Sequence, residues 1–368
     1  MRYDPLRPED AKTEKTMTRP NLFGQERAAL AGALHELGEP PYRTSQVYSW
    51  LYQKRARSFA EMTNVGKDLR QRLGAAWDLR WPEVQERSLS YDGTRKYLFR
   101  LDDGATIESV SIPEASRRTI CISTQAGCPL KCAFCLTGIA GYKRNLQTSE
   151  ILGQVATVMA EAPATPVPWN VVVMGMGEPL LNYDATVSAL RVLMDPEGFA
   201  VAPRRLTLST VGILPALEKL MLEPVRPNLA ISLHAPNAAL RRALMPIEEK
   251  YALADVVEAA LRYPIPQGGL VTFEYVLLRG VNDTAPHARE LARLLGGRRV
   301  KVNLIPLNAT PEIPFGVPTP EAVDAFCRVL ARAHVTVSVR RPRGQDILAA
   351  CGQLHLKRAQ EAPLAAQP

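Results

Sequence analysis

The sequence lacks the features that would place a protein in a membrane or carry it across one. No hydrophobic run approaches the roughly eighteen apolar residues of a membrane-spanning helix, and the N-terminal stretch MRYDPLRPEDAKTEKT has no apolar signal region. Internal repeats and low-complexity segments are absent as well. We therefore expect a cytoplasmic protein with no membrane partner. With 368 residues, 46% of them hydrophobic, it can bury a large core.

Cysteine is scarce, with six residues in the chain, but four of the six lie between positions 121 and 135. In a reducing compartment, clustered cysteines indicate metal or redox chemistry rather than structural disulfides. Cys128, Cys132 and Cys135 have the spacing C-x3-C-x2-C. Three thiolates can hold a four-iron cluster with one iron open to a substrate, whereas a closed zinc site needs a fourth ligand. The spacing favours the cluster, with zinc and unligated thiols as alternatives.

The excess of basic residues is moderate, with 45 Lys and Arg against 37 Asp and Glu and a formal net charge of +8. This balance suits a polyanionic partner such as RNA, and it suits scattered solvated charges equally well. Phosphate contacts would give salt-dependent affinity with little base specificity. The candidates for such contacts are Lys143, Arg144, Arg204, Arg205, Arg340, Arg341 and Arg343.

Strand and helix patterns alternate over most of the chain. Apolar, β-branched runs, separated by amphipathic helical stretches, occur at 118–124, 170–176, 205–210, 228–234, 271–278, 300–306 and 335–340. This alternation predicts a parallel sheet with helices outside it, closed into a full or partial barrel. We expect an extended or disordered N-terminus (1–21), followed by a helical accessory domain that could contact RNA (22–90) and a linking β-hairpin around DDG (91–114). The barrel core (115–346) and a C-terminal segment (347–368) complete the chain.

Small and polar residues follow the predicted strands where a barrel places its chemistry. Gly177 and Glu178 close the second strand, Ser209 the third, and Ser232 and His234 the fourth; the sixth strand is followed by Asn308. Active sites of such barrels form at the C-terminal ends of the strands. Each residue also has a structural interpretation: a turn glycine, a helix-capping serine, a loop asparagine or a satisfied buried histidine. Together they predict a site.

The cysteine spacing, with Phe134 just before the last cysteine, resembles the cluster loop of the radical S-adenosylmethionine (SAM) superfamily. Further segments across residues 22–355 resemble one family within it, the dual-specificity 23S rRNA/tRNA adenine-C2 methyltransferases. These segments are CISTQAGC, KRNLQTSEI, VVVMGMGEPLLN, LTLSTVGILPAL, AISLHAPN, EYVLLRGVND, NLIPLN and RGQDILAACGQL. The resemblance implies an α/β fold, a partial (βα)6 radical SAM barrel with a small N-terminal helical domain and a linking β-hairpin.

The resemblance also implies the cofactors and their ligands. One [4Fe–4S] cluster per chain would be held by Cys128, Cys132 and Cys135, and two SAM molecules would be used per turnover. The positions that match the family's SAM contacts are Gly177, Glu178, Ser209, Ser232, Leu233, His234 and Asn308.

The remaining matches concern a cysteine relay. C2 of adenine has no nucleophilic lone pair, so direct transfer of a methyl cation from SAM is unfavourable. The resemblance implies that Cys351 is methylated first, because a thiolate is a strong nucleophile near neutral pH. The 5′-deoxyadenosyl radical then activates the S-methyl group. Cys121 matches the resolving cysteine, which forms a transient disulfide with Cys351, and Glu108 matches the proton acceptor. Apart from the resemblance, Cys121 and Glu108 could be ordinary strand residues and Cys351 incidental; Cys327 is expected in the core.

The resemblance implies two RNA partners, tRNA and the peptidyl-transferase region of 23S rRNA. It also implies an external electron donor such as flavodoxin. We expect a monomer. Three alternatives stay open. A paralogous family methylates C8 of the same rRNA adenine, and no single residue distinguishes the two. Another radical SAM enzyme is disfavoured by the Cys121 and Cys351 pair. A zinc-stabilised RNA-binding module would need no relay.

Overall fold

A computed structural model of the chain describes residues 19–162, 166–266 and 268–354. Most of the predicted disordered N-terminus, residues 1–18, and residues 355–368 of the predicted C-terminal segment lie outside this description. In the described part, no helix combines the length and apolar character needed to cross a membrane.

The first helices of the described part are three short ones: α1 (Arg27–Glu36), α2 (Tyr42–Tyr52) and α3 (Lys67–Ala76). Each buries apolar residues at helical spacing, as Leu30 and Leu34 show in α1. The Tyr52 ring packs 5.4 Å from Phe23 and 5.6 Å from Phe199, a residue that follows a helix of the barrel. Aromatic packing therefore fixes the helical part against the rest of the molecule.

An antiparallel unit follows, made of β1 (Glu83–Leu89), β2 (Arg95–Arg100) and β3 (Thr106–Glu114). The pairing of β2 with β3 confirms the predicted hairpin around DDG. The prediction of a helical segment reaching residue 90 is wrong at its end, because β1 is a strand paired with β2. β1 lies at the edge of the sheet, and its mostly polar sequence EVQERSL is exposed. It therefore lacks the apolar alternation that signals a half-buried strand.

After β4 (Arg117–Cys121), an insertion carries the three-cysteine motif. The two short strands β5 (Gln125–Gly127) and β6 (Tyr142–Asn145) pair antiparallel, and α4 (Leu136–Ala140) lies between them. The Cys128 N–H donates to the Gly141 carbonyl at 2.8 Å, and the Ala133 N–H donates to the Leu244 carbonyl at 2.9 Å. The insertion is thus a loop closed at its base and tethered at its tip.

Seven parallel strands form the barrel wall, and they confirm the seven predicted runs. In spatial order they are β4, β7 (Trp169–Val173), β8 (Leu206–Thr210), β9 (Asn228–Ser232), β10 (Val271–Leu277), β11 (Val300–Pro306) and β12 (Thr336–Val339). The covering helices are α5 (Thr148–Glu161), α6 (Tyr183–Met194), α7 (Leu214–Met221), α8 (Ala238–Leu244), α9 (Leu253–Arg262), α10 (Ala285–Leu295) and α11 (Pro320–Arg332). Six strand–helix units followed by a seventh strand make the partial (βα)6 barrel that the sequence predicts.

Alternation along the strands places the functional side chains. In β8, Leu206 and Leu208 are fully buried, whereas the following Ser209, on the opposite face, borders the barrel interior. Successive side chains of a strand point to opposite faces, so one face packs on helices while the other lines the interior. The strand sequence therefore decides which residues can reach a site inside the barrel.

Candidate active site

A cavity of about 190 Å³ opens at the C-terminal ends of the barrel strands. It brings together residues from β3 and β4, from β7 to β11, from the cysteine loop and from the segment after β12. Of the residues predicted to act, those that line it are Cys121, Cys128, Cys132, Cys135, Gly177, Glu178, Ser209, Ser232, His234, Asn308 and Cys351. Leu233 and Glu108 do not reach the cavity wall.

The three loop cysteines share one side of this cavity. Burial raises the pKa of Cys132 well above its usual value, and the neighbouring Cys128 and Cys135 raise it further. Burial also raises the pKa of Cys128, with Cys135 as the next cause. Buried thiols are hard to ionise, and neighbouring thiolates repel each other. Their ionisation becomes favourable only when a cation compensates the charge.

The three thiols of the loop lie close enough to influence one another's ionisation, so together they could hold a cluster on one side. Among the described residues, no three His, Cys, Asp or Glu side chains close around one point as the ligands of a single ion do. A four-iron cluster carries its thiolates on separate iron atoms, so they stand apart. All six cysteines of the chain are thiols outside disulfides, and Cys128, Cys132 and Cys135 are therefore available as ligands.

Glu178 ties two strand ends together. Its carboxylate accepts hydrogen bonds from the Leu180 N–H at 3.0 Å, the Thr210 hydroxyl at 2.6 Å and the Val211 N–H at 2.9 Å. Burial raises the pKa of Glu178 to about 7, against the effect of these donors. A carboxylate has about four acceptor positions, so one is left for a donor in the cavity, such as an amine.

Gly177 allows the chain to pass close to the cysteine loop. Its φ is +100°, and a Cβ at this position would lie 2.5 Å from the Cβ of Gln125. The next N–H, that of Glu178, donates to the Gln125 side-chain oxygen at 2.8 Å. A larger residue would be strained and would separate these segments.

Ser209 and Ser232 lie on neighbouring strands, with their hydroxyl oxygens 3.4 Å apart. His234 follows with φ +58°, and its Nδ1 accepts a hydrogen bond from the Val276 N–H at 3.0 Å. Its ring packs edge-on against Phe134 of the cysteine loop, with centroids 4.7 Å apart. Leu233 is fully buried, and its backbone N–H donates to the Glu274 carbonyl at 3.0 Å.

The segment that carries Cys351 is tethered to the cysteine loop. The Leu136 N–H donates to the Gly352 carbonyl at 2.9 Å, and the Thr137 hydroxyl donates to the Leu354 carbonyl. The Asn308 amide donates to the Cys351 carbonyl at 3.2 Å. Asn308 therefore holds this segment, a contact that its loop position in the sequence does not reveal.

Cys121 and Cys351, 230 positions apart, line the same cavity. Burial raises the pKa of Cys121 to about 12; the charge of Cys351 acts in the same direction, and Arg340 acts against both. Cys327 lies on α11, does not line the cavity and is half-buried rather than fully in the core.

Glu108 is buried behind the cavity rim, in an ion pair with Lys96 of β2. The Lys96 Nζ lies 3.0 Å from the Glu108 Oε1, and it also donates to the Leu348 carbonyl at 3.3 Å. Glu108 shares its face of β3 with Val110, which lines the cavity. Sequence analysis missed Lys96, although a lysine within the apolar strand RKYLFR is unusual enough to suggest a buried partner.

Some predicted phosphate contacts are already engaged. Arg144 makes hydrogen bonds to Asp103 and Glu150, with a shortest Glu150 distance of 2.8 Å. Arg204 and Arg205 precede β8 and lie at the N-terminal edge of the sheet, opposite the cavity. Arg144 is held by acidic side chains, and Arg204 and Arg205 lie far from the cavity. The structure therefore gives no support to a phosphate contact by these three residues beside the site.

The other basic candidates divide between the surface and the cavity. Lys143, Arg341 and Arg343 are exposed, and Arg341 and Arg343 border a recess that also contains Cys351. Arg340 is only partly exposed and lines the main cavity. Its side chain therefore faces the cavity rather than the outer surface.

Comparisons with known proteins agree with this geometry. Residues 20–77 match the family described as "Ribosomal RNA large subunit methyltransferase N-terminal domain", and residues 122–293 match the radical SAM superfamily. A radical SAM methyltransferase from Sphaerobacter thermophilus has a similar structure. Its TM-score is 0.84 at 42% sequence identity, covering 91% of this chain and 99% of that one.

Two curated relatives are similar over nearly their whole length. The "Probable dual-specificity RNA methyltransferase RlmN" of Gemmatimonas aurantiaca is 48% identical over 331 residues, which cover 90% of this chain and 91% of that protein. The "Dual-specificity RNA methyltransferase RlmN" of Syntrophus aciditrophicus is 44% identical over 345 residues, covering 94% and 99%. With the cysteine loop, the partial barrel and the two further cysteines at one cavity, these similarities show that the chain belongs to the RlmN family of radical SAM methyltransferases.

Proposed function

We propose that the protein transfers a methyl carbon derived from SAM to C2 of adenine in 23S rRNA and in tRNA, through a methylated Cys351. One observation carries the proposal: Cys121 and Cys351 line the same cavity as the three-cysteine loop. An enzyme that only abstracts hydrogen from its substrate needs neither of these two thiols.

As a radical SAM protein, the chain uses a [4Fe–4S] cluster and SAM. Cys128, Cys132 and Cys135 would hold the cluster, which together with SAM supplies the 5′-deoxyadenosyl radical that activates the S-methyl group. Glu178 has an acceptor position for the SAM amino group, and Ser209 and Ser232 offer hydroxyls further along the wall. These contacts would hold SAM in the cavity that Cys351 also lines.

Cys351 would act before the radical step and Cys121 after it. The Cys351 thiolate first accepts the methyl group of one SAM molecule, because a sulfur nucleophile reacts readily with a sulfonium methyl. Once the activated carbon is bonded to C2, protein and RNA are covalently joined. Cys121 then attacks the sulfur of Cys351, and the resulting disulfide releases the methylated base.

Glu108 would accept the C2 proton before release. Its carboxylate is buried, paired with Lys96 and adjacent to the segment that ends in Cys351, since Lys96 also bonds the Leu348 carbonyl. A base has to come within hydrogen-bonding distance of the proton that it removes, so the Glu108 carboxylate, which lies behind the cavity wall, would have to move towards the adenine. The ion pair would hold Glu108 in place until RNA arrives.

The substrate adenine has to leave its stack to reach this cavity. Exposed Arg341 and Arg343 border the recess beside Cys351, so RNA phosphates could bind there without entering the cavity. Lys143 beyond the cysteine loop is a further exposed contact. The helical domain within 22–90 would add a second RNA surface, and the electron donor would be a small redox protein such as flavodoxin acting on a monomer.

The test is mass spectrometry of nucleosides after the reduced holoenzyme has acted on unmodified 23S rRNA and on tRNA with SAM. We expect 2-methyladenosine from both RNAs. If 8-methyladenosine formed, the relay would stand but the position would be wrong. If neither formed while SAM was cleaved, the RNA substrate itself would be wrong. Anaerobic iron and sulfide analysis is the matching check on the cofactor, since zinc without sulfide would contradict the radical chemistry.

A further inference from the structure

The guanidinium of Arg340 brings a positive charge into the cavity that Cys121 lines. Arg340 directly follows β12, and its backbone N–H donates to the Leu304 carbonyl of β11 at 2.8 Å. Its Nη1 lies 3.6 Å from the Sδ of Met174, and Met174, Arg340 and Cys121 all line the main cavity. The guanidinium and the Cys121 thiol therefore border the same space.

The same guanidinium faces Cys351. Arg340 and Cys351 line both the main cavity and the smaller recess beside it. The pKa of Arg340 is raised first by the charge of Cys351, and then by those of Glu274 and Cys121. Two thiols from distant parts of the chain therefore share one cationic neighbour.

Cys121 needs such a neighbour. Burial raises the pKa of Cys121 to about 12 even with Arg340 opposing the rise, so its thiolate is scarce at neutral pH and would be scarcer without the guanidinium. Thiol–disulfide exchange proceeds through the thiolate. An opposite charge within reach is the usual way in which a protein makes a buried thiol reactive.

We propose that Arg340 is a positioning residue of the cysteine relay, pairing with the Cys351 thiolate during methyl acceptance and with the Cys121 thiolate during disulfide formation. This inference rests on the proposed function, because only a relay needs two thiolates at one place. The guanidinium stays charged throughout and takes no proton from either thiol.

The two thiolate steps balance around a constant charge. In the first, the Cys351 sulfur bonds to the methyl carbon, the carbon–sulfonium bond breaks, and neutral S-adenosylhomocysteine leaves. In the last, the Cys121 sulfur bonds to the Cys351 sulfur in the thioether adduct and the sulfur–carbon bond breaks. Its electron pair passes to the methylene carbon, which takes up a proton to become the methyl group. Each step consumes one thiolate beside Arg340.

Glu274 of β10 supplies the counter-charge when both thiols are neutral. Its Oε1 accepts from the Asn303 amide at 3.0 Å, while its Oε2 has no hydrogen-bond partner among the residues that the structure describes. Burial raises the pKa of Glu274, and Arg340 opposes that rise. The other ionisable groups around this part of the cavity are Glu114, Glu178, His234, Lys301, Cys128, Cys132 and Cys135.

The experiment measures thiol reactivity and needs neither RNA nor turnover. Anaerobic holoenzyme would be treated with iodoacetamide between pH 6 and 10, and alkylation of Cys121 and Cys351 would be quantified by peptide mass spectrometry. We expect Arg340→Gln to lower the alkylation rate of both cysteines by about tenfold on the rising part of the profile, because less thiolate forms once the opposite charge is removed. Arg340→Lys should retain part of the effect. Arg341→Gln, which removes the adjacent exposed charge, should retain the wild-type profile.

Unchanged profiles in folded Arg340→Gln would overturn the inference, and so would an equal shift in Arg341→Gln, since that would indicate general surface charge. Thermal melting and iron content identify a variant that has not folded, in which case Arg340→Lys alone decides. If the profiles shift but no methylated adenine forms on RNA, Arg340 keeps its role and the proposed function fails. If adenine is methylated and the profiles do not shift, only the role of Arg340 fails.

Discussion

The Lys96 Nζ lies 3.0 Å from the Glu108 Oε1, and both side chains are buried. Lys96 also bonds the carbonyl of Leu348, three residues before Cys351. The ion pair therefore joins the proposed base to the segment that carries the methyl group. A buried pair of this kind is costly to break, because the remaining charge loses its compensation.

Glu108→Gln should stop the reaction after the covalent adduct has formed. The amide has nearly the shape of the carboxylate but cannot accept the C2 proton. We expect adduct to accumulate and methylated product to fall by at least about a hundredfold, measured by gel mobility of labelled RNA and by nucleoside analysis. Glu83→Gln, on the exposed strand β1, is the matched control. Normal turnover by Glu108→Gln would remove Glu108 from the mechanism.

Lys96→Met should lower the free energy of unfolding by about 3–5 kcal/mol, since Glu108 would lose its ammonium partner. The double variant Lys96→Met/Glu108→Gln should recover part of that loss, because no buried charge remains uncompensated. Denaturant unfolding of the three proteins measures both effects. Additive losses in the double variant would mean that the two charges do not interact.

The two relay cysteines should give opposite results when they are removed. Cys121→Ala should trap a covalent protein–RNA adduct, because nothing can attack the sulfur of Cys351. Cys351→Ala should form no adduct, because it accepts no methyl group. Cys327→Ala, on α11 outside the cavity, should resemble the wild type. Denaturing gels with labelled RNA measure all three, and turnover by Cys121→Ala at the normal rate would contradict the resolving role.

Glu178→Gln should weaken SAM binding by about tenfold or more, since an amide in place of the carboxylate sets a donor against the N–H groups of Leu180 or Val211. Equilibrium binding of SAM to the holoenzyme measures this change. Thr210→Val removes one donor to the carboxylate and keeps its charge. It should lower stability while keeping most of the SAM affinity, and equal losses in both variants would indicate a purely structural role for Glu178.

His234 should make the fold sensitive to acid. Burial lowers the pKa of His234 to about 3, and the Val276 N–H needs its Nδ1 unprotonated. Because the folded pKa is below the usual value near 6.5, unfolding takes up a proton between those values. The free energy of unfolding should therefore fall as the pH drops from 6.5 towards 3, by at most about 1.4 kcal/mol per pH unit from this group.

His234→Asn keeps an acceptor for the Val276 N–H without a group that titrates in this range. Denaturant unfolding at pH 7 and pH 5 should show a smaller difference for this variant than for the wild type. A variant with the same pH dependence as the wild type would place the acid sensitivity elsewhere.

Asn308→Ala should slow the methylation of Cys351, since its amide holds the Cys351 carbonyl. A loss of about tenfold is expected from a misplaced nucleophile, measured as S-methyl incorporation by intact-protein mass spectrometry. Asn170→Ala is the matched control, because Asn170 bonds Arg205 at the other end of the barrel. Normal methylation of Asn308→Ala with weakened SAM binding would instead make Asn308 a cofactor contact only.

Local sequence patterns predicted much of the fold. The apolar runs of the barrel have high β propensity and are buried, so all seven appear as parallel strands. The hairpin followed from the turn at DDG. Strand β1 could not be predicted in this way, because an exposed edge strand of polar residues has no periodic signal.

The sequence by itself determined the cysteine spacing and the strand ends that converge on one cavity, since both are set by short-range chemistry and by the alternation of strands and helices. Only the tertiary structure decided where charges go. It turned Arg340 inward between two thiols, paired Lys96 with Glu108, and placed Arg204 and Arg205 at the far end of the barrel. Such relationships depend on strand register and on contacts between residues far apart in the chain, which no local pattern encodes.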